Sequence, residues 1–305
     1  MSKYNYGGQA VIEGVMMRGK RFWAIAVRKA NKDITVKEGP VQSIADKYPI
    51  LGKPFIRGSV NLVESLIFGM KSLTYAANEY AEEEEEELST KELVFTFVIA
   101  ILLTIGLFIM LPAFIIRNIQ AAVNNNFLLN LVEGLIKIAF FILYILGISL
   151  MKDIQRVFQY HGAEHCTINC YEAGEELVVE NVQKYSTIHA RCGTNFLLIT
   201  FFTSVFIFTF FGRPPFLLRV LIHVAILPIV AGLSYEIIRK AGQDNPHPFF
   251  SWIAAPGMAL QKLTTRRPDD DQVQVAIEAL KAVLVRDKSN LQEQKIKQFP
   301  TSDQS

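Results

Sequence analysis

The chain has 305 residues, half of them apolar, with 22 phenylalanines and a formal net charge of +2 at pH 7. So small a charge excludes the concentrated basic face of a duplex-binding protein, and no nucleic-acid partner is expected. The three cysteines, Cys166, Cys170 and Cys192, are an odd number and cannot all pair in a disulfide framework; they suit a reducing cytoplasm.

Residues 1–14 contain Glu13 and lack an uninterrupted apolar core, so they do not read as a cleavable secretory signal. Residues 1–80 are expected to fold as a cytoplasmic N-terminal region. β-rich runs at 23–27 and 34–36 flank Asn31, Lys32 and Asp33, a hairpin turn. From 54 to 80, apolar residues recur at helical spacing (Ile56, Val60, Val63, Ile67, Met70), with Arg57, Glu64 and Lys71 off the stripe. Such a helix either rests on a membrane surface or packs against the hairpin. The linker at 81–92 carries six consecutive glutamates, 82–87, whose mutual repulsion predicts a solvated segment.

Four long apolar runs follow, at 93–116, 131–151, 195–211 and 216–238. Each approaches the ~20 residues needed to cross a ~30 Å hydrocarbon layer. A soluble core helix would carry a polar stripe, and 93–110 and 138–151 have none. Basic residues set the orientation. Arg117 and Arg213 are alone in the first and third loops, whereas the second holds Lys152, Arg156, Lys184 and Arg191, and Arg239 and Lys240 open the segment after the fourth run. The expected fold is therefore a mainly α polytopic membrane protein. Four transmembrane helices (93–238, with a cytoplasmic loop at 152–193) carry a small α+β cytoplasmic domain, and both termini are cytoplasmic. The region 239–286 is read as cytoplasmic, with an amphipathic helix over 272–285, and 287–305 as a disordered tail. The lipid bilayer is the first partner implied, with other membrane proteins the second.

Chemistry concentrates in His161-Gly162-Ala163-Glu164-His165. On a helix, residues four apart are neighbours, so His161 and His165 can grip one divalent ion, zinc first among candidates, while Glu164 acts as general base. This is the H-x-x-E-H pattern of inverted zincins. A catalytic zinc takes a third protein ligand. Glu236 is the first candidate, because a carboxylate completes a His₂Glu set at the cytoplasmic end of the fourth run; His189 and Cys192 are the others. Cys166 and Cys170, spaced as C-x₃-C, could instead join a closed thiolate site. Within the second run, Glu133 and Lys137 mark either a transport path or, as favoured here, an interface where Lys137 snorkels outward.

The stretch 7–19 (GGQAVIEGVMMRG), the block 160–165, Arg191-Cys192-Gly193-Thr194, Ser234-Tyr235-Glu236, and Pro256-Gly257 with the following 260–265 resemble the YqhQ-like family of bacterial membrane proteins. That resemblance implies a bacterial cell-membrane location and brings the label of a predicted metal-dependent enzyme. It also implies that the residue after the second histidine is often basic, so Cys166 fits a thiolate site poorly. Gly7, Gly8, Gly14 and Gly19 are expected at tight turns or close backbone approaches, bringing Glu13 and Arg18 toward the surface that holds His161.

Two functions stand against each other: a metal-dependent hydrolase using His161, His165, Glu236 and Glu164, and a non-enzymatic scaffold or membrane-protein assembly factor. A transporter ranks last, because the runs lack paired broken helices.

Overall fold

The computed structural model describes residues 6–81, 90–119, 123, 125–212, 214–243 and 245–298. The glutamate run and Arg213 lie outside the described residues.

A four-stranded antiparallel meander opens the chain: β1 (Gly7–Val11), β2 (Gly14–Arg18), β3 (Phe22–Arg28) and β4 (Ile34–Pro40), in the order β1-β2-β3-β4. The expected hairpin is the β3–β4 turn, where Asn31 bonds Asp33 and Lys32 takes φ 74°. The β1–β2 hairpin was not anticipated. Its turn holds Glu13 at φ 47°, and Gly14 lies under β3, where a Cβ would stand 2.4 Å from the Ala26 carbonyl oxygen.

Alternation along the strands sends side chains to two cores, as a two-residue period requires. Val15, Met17, Ala24 and Ala26 face one layer, while Met16, Ile25 and Val27 face the other. A short α1 (Ile44–Lys47), capped by Ser43, leads through a 3₁₀ turn to α2 (Ile56–Tyr80). This helix covers the second face with Phe68, Tyr75 and Ala76, and Trp23 meets Phe68 edge-on at 5.2 Å. Of the two expectations for α2, packing against the sheet is therefore met. Its other side still exposes Val63, Leu66, Ile67 and Met70.

Next come α3 (Thr90–Ile105), a π turn (Gly106–Met110), α4 (Leu111–Ile119) and α5 (Asn126–Ile148). Pro112 lacks an N–H and would clash with the carbonyl of Phe108, which accounts for the widened turn. By length and composition, Val94–Ile119 (26 residues) and Asn126–Ile148 (23 residues) can cross a membrane. In the first, most apolar side chains lie outside a protein core, Leu102 and Leu103 being 62% and 68% exposed, while α5 buries Phe141 and Ile145 on one side. Exposure on that scale points to membrane association. Glu133 and Lys137 on α5 do not splay toward an interface. They pair at 3.0 Å and line a cavity of about 260 Å³ with Asn130 and Phe208, below which Gly134 lets Val205 of the neighbouring helix α8 (Gly193–Thr209) pack closely.

The remaining elements are α6 (Lys152–Ala173), α7 (Val179–Val182), α9 (Phe216–Ala241), α10 (Pro248–Thr264) and α11 (Asp270–Gln298). The apolar helix α10 lies against α8 and α9 within what the sequence presented as a plain cytoplasmic segment. Gly257 sits so close to α8 that a Cβ would meet Asn195 Oδ1 at 1.9 Å. α11 starts as expected but runs to Gln298, well into the stretch read as disordered; residues 299–305 lie outside the described residues. With α6 it covers the first sheet face through Val273, Ala276, Leu280 and Val283, all fully buried. Each large apolar side chain so buried contributes roughly 2 kcal/mol. The sheet-and-helix part is thus three layers, α2 on the sheet on α6 and α11.

Candidate metal centre

α6 ends against Gly174, which caps it at φ 80°, and carries the whole H-x-x-E-H run on its buried middle turns. Gly162 weakens a helix in isolation. Here it is needed, because a Cβ would lie 2.0 Å from the carbonyl oxygen of Arg266. The strap after α10 presses its backbone against α6 at this point, and the Arg266 N–H donates to the Phe158 carbonyl at 2.9 Å.

His161 and His165 stack edge to face with ring centroids 4.4 Å apart. His161 Nδ1 is 2.9 Å from the Thr264 carbonyl oxygen, and His165 Nδ1 is 2.6 Å from that of Thr187. A carbonyl only accepts, so each Nδ1 carries the proton and each Nε2 presents its lone pair. His161 Nε2 lies 3.2 Å from Cys192 Sγ. One ligand atom each from His161, His165 and Cys192 fall within 4.8 Å of one another. Cys192 arrives because it caps α8, its sulfur accepting the Thr194 N–H at 3.3 Å.

Glu236 is elsewhere. Its carboxylate accepts from Arg57 Nε at 2.8 Å and Nη2 at 2.7 Å, and from the Phe55 N–H at 3.5 Å. This forked pair ties α2 to α9, where Gly58 and Gly232 permit close contact. Of the three candidates for a third position, Cys192 joins the histidines. His189 stands behind them, its ring centroid 5.8 Å from that of His165. Both of its nitrogens are engaged, Nδ1 by the Arg191 N–H and Nε2 by Glu172, and Gln261 bonds its main chain on both sides.

Glu164 is buried, 3.6 Å from His165 Nε2, and takes the Gly8 N–H. Gly8 has no room for a side chain, since a Cβ would stand 2.8 Å from Glu164 Cγ. Burial pushes the Glu164 carboxyl above the ordinary value, against the pull of His161 and His189. Gly8 of β1 therefore forms the back wall of the site. Glu13 accepts from Arg156 and, at 3.1 Å, from the Tyr160 hydroxyl, fastening the β1–β2 turn beside His161.

Cys166 and Cys170 face the apolar core, and their thiols point to the carbonyls of Tyr185 and Glu176. Burial pushes the Cys166 thiol up to about 11. Among the described residues, the group that could hold a metal takes in neither thiol, so the two do not join a closed cysteine site there.

Glu172, two turns beyond the motif, holds the loop 183–192 through His189 and Arg191. Burial opposes its charge, but His189 and Arg191 outweigh burial and keep its carboxyl below the ordinary value of 4.5. A depressed carboxyl contributes stability above its unfolded value and loses it as pH falls through the folded one. Protection of the 186–192 amides in hydrogen exchange is therefore expected to hold from neutral pH to about 4.5 and to decline below. Glu172→Gln should remove that acid dependence.

A small sheet-and-helix domain on apolar helices, with a His₂Cys group at their junction, defines the class. The chain belongs to the family described as "Protein of unknown function (DUF1385)", whose model matches residues 53–286. It is 34% identical over 317 aligned residues to "Uncharacterized protein YqhQ" of Bacillus subtilis (strain 168), covering 97% of this chain and 98% of that one. No solved structure matches.

Proposed function

We propose that this chain is a four-span bacterial membrane protein that holds a divalent metal, zinc first, on its cytoplasmic face and uses it in hydrolysis. His161, His165 and Cys192 are the ligands and Glu164 is the general base. The carrying observation is that two imidazoles, each fixed through Nδ1 to a main-chain carbonyl, and the Cys192 thiol bring one ligand atom each within 4.8 Å of one another. Such backing is the usual means of orienting metal-binding histidines. A thiol–imidazole hydrogen bond accounts for His161 with Cys192, but gives no reason for His165 to face the same point.

Three protein ligands leave a position open, as catalytic zinc requires, and a bound ion supplies Lewis acidity there. Glu164, held by the Gly8 N–H, is placed to accept a proton from water entering that position. Four spans follow if α8 and α9 cross with the two longer candidates. The 17 residues of α8 rise roughly 26 Å, enough to cross with some local thinning. The basic residues of 152–193 and after α9 then place the site in the cytoplasm.

The test is a panel of phosphoester and acyl-ester substrates given to zinc-loaded protein in nanodiscs. Turnover that falls at least about 100-fold in Glu164→Gln with zinc retained supports the reading. Zinc binding without turnover on any substrate would move the assignment to a scaffold.

A further inference from the structure

On the opposite side of Gly8 from β1's core partners, a cavity of about 460 Å³ opens between the β1–β2 hairpin, α2 and the cytoplasmic end of α9. That volume is in the range of small-molecule sites. Its wall holds three arginines, Arg18, Arg191 and Arg239, and no aspartate or glutamate. The nearest carboxylates do little to neutralise two of them. Arg18 stands 3.9 Å from Glu64 and Arg239 stands 3.9 Å from Glu236, both beyond hydrogen-bond reach, and Glu236 is already forked by Arg57. Arg191 is held at the edge by Glu172 and by the Gly242 carbonyl at 3.4 Å. Gly7 leaves the entrance clear, since a Cβ there would meet nothing within 4 Å. Phe68 and Ile238 supply an apolar flank.

We infer that this cavity binds a phosphate-bearing head group. Guanidinium forks match phosphate oxygens, and Arg18 and Arg239, neither forked by a carboxylate, favour with Arg191 beside them a polyanionic oxygen cluster over a neutral ligand. The apolar flank at the end of α9 suits the acyl end of an amphiphile. The position deepens the hydrolytic reading and rests on it for substrate assignment. Gly8 separates the cavity from Glu164, and Arg191 directly precedes Cys192, so the cavity and the metal centre share the β1 strand and the turn that leads into α8.

The test uses the full chain in detergent and two fluorescent short-chain probes, phosphatidic acid and phosphatidylcholine. Variants are the double Arg18→Gln/Arg239→Gln and the cavity-filling Gly7→Leu, with zinc content and thermal stability read on the same samples. Phosphatidic acid is expected to bind at least about tenfold tighter than phosphatidylcholine, and both variants are expected to lose that preference while keeping zinc. Glycerol 3-phosphate competing at comparable concentration identifies a soluble phosphate ester as ligand; failure to compete identifies the lipid. Equal binding of the two probes, or a double variant that binds like wild type, overturns the inference. Head-group preference retained in a protein that holds no zinc would sink the hydrolase reading and leave the cavity assignment standing.

Discussion

Gly162→Ala is expected to destabilise the sheet-and-helix domain by about 2 kcal/mol or more, although alanine is the better helix former by about 1 kcal/mol. The new methyl would enter the space of the Arg266 carbonyl, 2.0 Å from the Cβ position, and a backbone atom cannot rotate away. The strap must lift from α6, breaking the Arg266 N–H bond to Phe158 and displacing Thr264, whose carbonyl fixes His161. Zinc affinity should therefore fall with stability, by about tenfold or more, as loss of an outer-shell partner does elsewhere. Gly147→Ala is the control, because nothing lies within 4 Å of its Cβ position. Thermal unfolding in detergent with a zinc competition assay checks both effects. A variant as stable as the control would mean that the strap does not press on α6.

Cys192→Ser is expected to weaken zinc binding by more than about 100-fold, because it removes a ligand and not merely its support. Glu236→Gln should leave zinc affinity within about threefold, since its carboxylate serves Arg57. It should instead loosen α2 from α9. Titration against a chelator of known affinity separates the two. The reverse order of effects would return Glu236 to the metal and Cys192 to a capping role.

That pair of residues shows where sequence reasoning reached its limit. Both Cys192 and Glu236 belong to the junction between the apolar helices and the sheet-and-helix domain, and hydropathy marks that junction as the ends of the apolar runs. Depth does not report rotation. Which way Glu236 faces is decided by α2 inserting Arg57 beside it through the Gly58–Gly232 contact, a tertiary event with no periodic signal. The histidine pair was legible because the four-residue spacing needs only a helix, and α6 is one. The carbonyls of Thr187 and Thr264 that orient those rings carry no side-chain chemistry and leave no trace in sequence.

The elements followed the same rule. The apolar runs at 93–116 and 131–151 are helical nearly throughout, the first widened by a π turn ahead of Pro112 and the second ending at Ile148. The first hairpin was missed because its strands are glycine- and methionine-rich, and Gly8 and Gly14 are there for closeness to Glu164 and β3, not for strand propensity. α10 was missed because Pro256 and Gly257 read as breakers. Their helix survives by packing Gly257 onto Asn195 and Leu260 into the cluster of Phe141, Ile145 and Leu198.

The central claim is most directly tested by elemental analysis of the purified full chain after zinc reconstitution and desalting, beside a folded His161→Ala/His165→Ala variant. Near-stoichiometric zinc in the wild type and its loss in the variant is the predicted result. Equal zinc in both, or none in the wild type, would contradict a metal centre at His161, His165 and Cys192.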